Sequence, residues 1–480
     1  MDAVEMDLVA REVDALAAEI EEARYRHVAG LETEPELARL FPPRSRAAHR
    51  DTVAALRERG DEDLAARVAA LRAERAQATA EEAWRAADAA AVARTPDRPV
   101  PLSSALAAVP REEDRERRAA RARAALESGA AAAAQREEAA EVRVRARAEG
   151  GLFPDWKVVV EGDQALNASE DAYRDVLAFR ARRDLGLAPR PEGDLARADL
   201  LRIAALPRWD GLFRPGMLPV ALKLAFERLG LDLARIRIDG DDRARKWPGV
   251  HVHGPRVSFR PSGGAGDWQD LLEGAGAALA FAHAPASRRD PVFPWAMGAL
   301  LGGLVLEPRF LAERADVERR HAPDVIRDLA LRRLFRLRAR AAALRVATEV
   351  ERGLSGARWR DAYRDALSTA ALASWDGALA SRDAEAADLA ARLRGEGTAA
   401  RLRVSLTERF DDDWWRNPRT AEHLAALLAA GRLEPAAPAA GAQGPVAPGP
   451  AEVAGEKAAP EAAPPSPEEA ARALVAGLEA

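Results

Sequence analysis

The sequence has no cysteine at all. That excludes disulfide cross-links, thiolate metal sites and cysteine nucleophiles. Aromatic residues make up only 5% of the chain and three of them are tyrosines, so phenolic acid–base chemistry has few residues to draw on. There is no excess of basic charge: 72 Lys and Arg face 77 Asp and Glu, for a formal net charge of −5. A nucleic-acid footprint rests on a basic surplus, so no nucleic-acid partner is expected. Long apolar runs are missing too. The stretch Met297 to Leu306 is about half the length a bilayer-spanning helix needs. Met1-Asp2-Ala3-Val4-Glu5 is acidic and lacks the apolar core of a secretory leader. Together these absences predict a cytoplasmic protein with no membrane partner.

What is present is helical in character. Alanine, the best helix former, is abundant and β-branched runs are scarce. With 480 residues, 48% of them hydrophobic, the chain can bury a large core. The composition predicts a mainly α fold.

Residues 1–150 read as an N-terminal helical region. Val4, Leu8, Val13, Leu16 and Ile20 mark an apolar stripe near helical spacing. Phe41-Pro42-Pro43 ends that element, a second helix is predicted from about Arg46 to Gly60, and Asp61 is positioned to cap a third. Thr95 to Pro101 reads as a loop. The Ala/Arg/Glu-rich stretch 111–149 reads as a helical arm or hairpin, weakest at Gly129. It lacks the sustained heptads of a coiled coil.

The middle changes period. Ile236 and Ile238, then Val250-His251-Val252-His253, then Val257-Ser258-Phe259 alternate as strands. A small β element is therefore predicted at about 236–260. Ser262-Gly263-Gly264-Ala265-Gly266 follows; it lacks the lysine of a phosphate loop and reads as a connection into the next helix. Helices resume to about residue 430. Residues 433–466 form a Pro/Ala-rich stretch expected to be a disordered linker. Ser466-Pro467-Glu468-Glu469 carries the signals of a helix start, so 467–480 is predicted to be a short amphipathic helix, either a docking peptide for a partner or simply a tail.

Residues 236–310 resemble the active-site region of the oligoendopeptidase and thimet-oligopeptidase family of zinc peptidases. The residues that carry the resemblance are Asp242-Arg243, Lys246-Trp247-Pro248-Gly249-Val250, Val257-Ser258-Phe259 and, above all, the helix Asp267 to Leu279. The run Leu271-Leu272-Glu273-Gly274-Ala275-Gly276-Ala277-Ala278-Leu279 is similar in register to Leu-Leu-His-Glu-x-Gly-His-Ala-Leu of that family. Phe410 to Pro418 and the helix from His423 resemble a later segment of the same enzymes. The resemblance spans about 151–432 and implies a large helical peptidase-like fold with a helix-lined cleft beside the small β element.

The chemistry of the family is not carried over. H-E-x-x-H puts two histidines on one helix face, with a glutamate between them to activate water. Here Glu273, Gly274 and Ala277 stand at those three positions, and Pro291 to Leu306, where a third ligand is implied, contains no Asp, Glu or His. No catalytic residue, cofactor or metal ligand is therefore assigned. The expected function is that of a peptidase-like pseudoenzyme that binds a peptide or protein, or acts as a scaffold.

Two other readings remain open at this level. His251 and His253 lie two apart on a strand and so share a face; with Glu273 they could form an atypical metal site of an active hydrolase. Otherwise the three are simply cleft-lining candidates for peptide binding, with Glu273 paired to an arginine. The second reading is a purely structural protein assembled through the arm or the tail helix. Asp411-Asp412-Asp413 reads as a helix-capping turn and Trp414-Trp415 as a packing anchor.

Overall fold

The computed structural model describes residues 3–42, 45–153, 155–187, 195–382, 386–432 and 466–479. The expected linker at 433–465 lies outside them. The N-terminal region begins with three helices, α1 (Ala3–Val28), α2 (Arg50–Glu58) and α3 (Glu62–Ala90). On α1, Val9, Val13, Leu16 and Ile20 are buried, whereas Val4 is 75% exposed, so the apolar stripe is inward-facing only beyond the first turns. The Asp61 carboxylate accepts from Leu64 N–H at 3.1 Å and fixes the start of α3.

The predicted loop at 95–101 is a correction. Val92–Arg94 (β1) and Pro99–Pro101 (β2) pair antiparallel. Each strand has three residues and the second is bounded by prolines, which lack the ladder donor, so no alternating pattern betrays them. Next come α4 (Leu102–Ala108), α5 (Arg115–Ala130) and α6 (Ala133–Glu149). The break between α5 and α6 falls at the expected weak point after Gly129. The stretch does not project as an arm: α6 lies along α3, where Arg136 pairs with Asp88 at 2.8 Å, both side chains 1% exposed.

The larger part contains α7 (Trp156–Leu185), α8 (Arg197–Ala204) and α9 (Leu218–Arg228), then the strands β3 (Arg237–Asp239), β4 (Gly249–His253) and β5 (Arg256–Arg260). Their order is β3-β5-β4, with β3 parallel and β4 antiparallel to the central β5. This is the small β element predicted from the alternation at 236–260. Helices follow again: α10 (Ala265–His283), α11 (Phe293–Gly302), α12 (Pro308–Arg314), α13 (Ala322–Glu351), α14 (Gly356–Ala371), α15 (Ala386–Phe410), α16 (Pro418–Ala430) and α17 (Pro467–Glu479). No single helix among the described residues is long and apolar enough to cross a membrane.

One core surrounds α10 and α11 and takes in Phe213, Trp268, Met297, Trp414 and Trp415. A second gathers α7, α13, α14, α15 and α17. Each buried Leu or Phe in them contributes about 1.5–3 kcal/mol. Helices α13 and α15 each contribute side chains to both and join them. The C-terminal helix is not a free tail. Ala470, Ala471, Leu474 and Leu478 are buried against α7, α13 and α15, and Arg401 grips Glu469 with two bonds of 2.6 Å. Its apolar face, expected to dock on a partner, is covered by this chain itself.

Candidate functional site

The three positions at which the sequence resemblance implies zinc chemistry, Glu273, Gly274 and Ala277, lie on α10 and are closely packed. A Cβ at Gly274 would collide with Cγ1 of Val250 on β4. On α11, a Cβ at Gly298 would stand 2.7 Å from Glu273 O, and one at Gly302 would stand 2.9 Å from Glu273 Cβ. Gly276 completes the pattern, since a Cβ there would be 2.8 Å from Met297 O. The two helices touch backbone to backbone because glycines let them. Ala277 is fully buried in this seam. The spacing Gly298-x-x-x-Gly302 on α11, with Gly276 on α10, was the available signal for this approach.

Glu273 is held in an arginine ladder. Helix α13 carries Arg332, Arg336 and Arg340 at four-residue spacing, so they line one face. Arg332 makes two bonds to Asp270, at 2.7 and 2.6 Å. Arg336 bridges Asp270 at 2.7 Å and Glu273 at 3.0 Å. Arg340 bridges Glu273 at 3.2 Å and Glu396 of α15 at 2.9 Å, and Arg333 closes on Glu396 at 2.6 Å. Burial alone would push the Glu273 carboxyl up; Arg336, Arg340 and Arg333 outweigh it and hold the group well below the usual carboxylate range. The same balance raises Arg336. Both partners of this ladder are therefore ionised, and the arrangement can cross-link helices but cannot accept or donate a proton near neutral pH.

The histidines do not join Glu273. Val250 and Val252 point from β4 toward Gly274 of α10, so the alternate face bearing His251 and His253 is turned away from that helix. His251 Nε2 lies 3.0 Å from Pro248 O; its imidazole is pushed down to about 4, first by burial and then by the His253 charge. His253 Nδ1 lies 3.0 Å from Glu21 Oε2 on α1. The metal site imagined from His251, His253 and Glu273 is not assembled, and among the described residues no group of three or more His, Asp or Glu is arranged to hold a metal ion.

His253 instead lines a cavity of about 490 Å³. Its walls come from α1, α3, α6, β4, α13, α14, α15 and the loop joining α10 to α11. Seven arginines and five carboxylates face it. Most are paired. Arg24 Nη2 reaches Glu81 at 2.7 Å and also contacts Glu74, and Arg85 meets Glu81 at 2.7 Å. Burial raises Glu81, but Arg24 and Arg85 more than offset it and keep the carboxyl low. Arg392 pairs with Asp388 at 2.7 Å and lies over the Trp295 ring at 3.6 Å. The cleft is thus a polar, aromatic-edged chamber, and Glu273, expected to line it, is in the seam behind it.

Two other motifs resolve into local structure. Asp267 accepts from Ser262 N–H at 2.8 Å and Gly263 N–H at 2.6 Å, which ties the glycine-rich connection to the first turn of α10 as a cap. Asp413 pairs with Arg309 at 2.8 Å, and Trp414 and Trp415 are each 1% exposed.

No protein-family model matches this sequence, and no curated protein matches it. Solved structures do. Pz peptidase A, determined with an inhibitor, is similar with a TM-score of 0.59 and 13% identity, over 91% of this chain and 82% of that one. A protein assigned as oligoendopeptidase F from Bacillus anthracis strain Ames is similar with a TM-score of 0.51 and 14% identity, over 100% of this chain and 86% of that one. At such identities the likeness establishes the fold: mainly α, large and metallopeptidase-like.

Proposed function

Given that metallopeptidase-like fold, we propose that the chain is a non-catalytic relative of zinc peptidases that binds a peptide or an extended protein segment in its cavity. The observation that carries this reading is the contrast at α10. The positions corresponding to the metal ligands and the general base are packed shut, while a chamber of about 490 Å³ beside them stays open. Strand β4 is at the edge of its sheet, and Val252 and His253 of that strand line the chamber. An extended segment can add to such an edge through backbone bonds alone, without any catalytic group. The same reading places the protein in the cytoplasm, with no cofactor.

Metal analysis and peptide binding together test it. The untagged protein, purified without chelator and supplied with zinc, is expected to carry a sub-stoichiometric trace of metal and to leave quenched-fluorophore peptides uncut. A fluorescein-labelled peptide library is expected to bind with affinities in the micromolar range typical of small interfaces. One equivalent of zinc, lost in the His251→Ala, His253→Ala double variant, would overturn the reading in favour of a relocated metal site.

A further inference from the structure

The seven arginines of the cavity are not all held by carboxylates; Arg143 reaches Gln77 Oε1 at 3.4 Å. Arg24, Arg85 and Arg392 have carboxylate partners in the wall, and Arg136 has Asp88 behind it. Arg67 of α3 and Arg289 of the loop after α10 line the same chamber, and neither makes an ion pair among the described residues. They are nevertheless held next to each other. The Arg67 guanidinium donates to the carbonyl of Arg289. The Arg289 guanidinium donates to Ala284 O at 2.9 Å and lies over the Phe281 ring at 4.4 Å.

The carboxylates nearby are committed elsewhere. Asp14 takes Ser287 N–H at 2.7 Å and its hydroxyl at 3.0 Å. Glu21 is with His253, and Asp290 caps Val292 N–H at 2.9 Å. Asp63 is exposed in the first turn of α3. Two like charges thus sit in a partly dry wall: burial lowers Arg67 against the pull of Asp63 and Asp290, and burial and then Arg67 push Arg289 down to about 10 despite Glu21 and Asp14. A folded protein rarely keeps such a pair without something to neutralise it. Two guanidinium groups lining one chamber, with Arg67 close enough for its charge to act on Arg289, suit a carboxylate, which can take a bond on each oxygen.

We propose that Arg67 and Arg289 form an anion subsite that clamps a carboxylate of the peptide bound in the cavity. The position suits an extended ligand, because Glu21, the partner of His253 on edge strand β4, also feels the charge of Arg289. The carboxylate comes from the ligand's C-terminus or from an acidic side chain. The carrier rests on the peptide reading above; the subsite itself rests on the two arginines.

The test uses three fluorescein-labelled peptides of one neutral sequence: a free C-terminus, an amidated version with one central glutamate, and an amidated neutral version. Wild-type protein is expected to bind a carboxylate-bearing peptide at least about tenfold tighter than the neutral one, and the tighter of the two names the source. That difference should vanish in Arg67→Gln and Arg289→Gln, and shrink in Arg67→Lys and Arg289→Lys, which keep the charge but lose the fork. Equal binding of all three peptides overturns the subsite and leaves the peptide reading standing. If no peptide binds, that reading falls and succinate decides the subsite. At matched ionic strength, succinate should raise the thermal midpoint of wild type and not of the glutamine variants; an equal shift in all of them, or none in any, overturns it.

Discussion

Along the α10–α11 seam, the four arginines of α13 and the carboxylates Asp270, Glu273 and Glu396 all have opposite partners, and the gaps are closed to the width of a glycine. In the cavity wall, on the far face of β4, most charges are paired but Arg67 and Arg289 are not, and space remains. The first arrangement is what a fold does with charge it uses for cohesion. The second leaves two guanidinium groups without an ion pair among the described residues. The comparison teaches that one fold can close one region to backbone contact and keep another open: the seam has no room for a Cβ at Gly298 or Gly302, and the opening lies elsewhere.

The largest expected effect comes from placing the H-E-x-x-H pattern on α10. The triple variant Glu273→His, Gly274→Glu, Ala277→His should bind no zinc and should not fold, because the side chain at 274 collides with Val250 and both imidazoles enter a filled interface; tight stoichiometric zinc in a folded triple variant would refute the closed seam. Glu273→Ala alone should cost about 3–5 kcal/mol in urea unfolding, since it strands Arg336 and Arg340. The matching change in the cavity, Arg67→Gln, should cost less than about 1 kcal/mol, and equal losses would erase the contrast. Gly302→Ala should cost about 1–3 kcal/mol by overpacking against Glu273, read by the same assay.

The pH dependence separates the two regions more gently. His251 is lowered to about 4, and His27, buried at the end of α1, to about 3, in each case by burial first. Both resist protonation when folded but accept it near pH 6.5 when unfolded. Their contribution is complete above pH 6.5 and is lost as the pH falls toward 4 and then 3. Urea midpoints should therefore drop between pH 7.5 and pH 5, and His251→Gln should flatten the drop, while seam variants keep the wild-type slope. The smallest effect is expected for Arg401→Ala. Its bond to Glu469 is 32% and 40% exposed on the two sides, which makes it worth about 0.2–1 kcal/mol.

Much of the fold was legible in the sequence because its signals are local. Alanine-rich periodicity gives the helices, alternation at 236–260 gives the sheet to within a residue or two, and Asp61 and the Ser466-Pro467 pair mark helix starts where they occur. The departure from the H-E-x-x-H pattern is likewise legible at Glu273, Gly274 and Ala277. What surrounds those positions is not local. Arg332, Arg336 and Arg340 read as a solvated helix face until α10 is known to lie against it, more than sixty residues away by sequence. The cavity is harder still, since α1 and α15 both line it. Nothing near Arg67 announces Arg289. The β1–β2 pair escaped because three residues beside prolines carry no period.

Helix α17 has a kinetic meaning as well. It joins residues 467–479 to α7 at 156–185, to α13 near Arg327 and Ala330, and to α15. Such a contact closes a very long loop, and loop closure of that length is paid for late on a folding pathway. The second core must therefore first condense without one of its walls, with Leu474 and Leu478 seated after α7, α13 and α15 have met. Interactions formed after the rate-limiting step govern how slowly a protein opens rather than how fast it folds. Leu474→Ala is thus expected to speed unfolding and leave refolding nearly unchanged, which makes the last helix a latch on the lifetime of the native state.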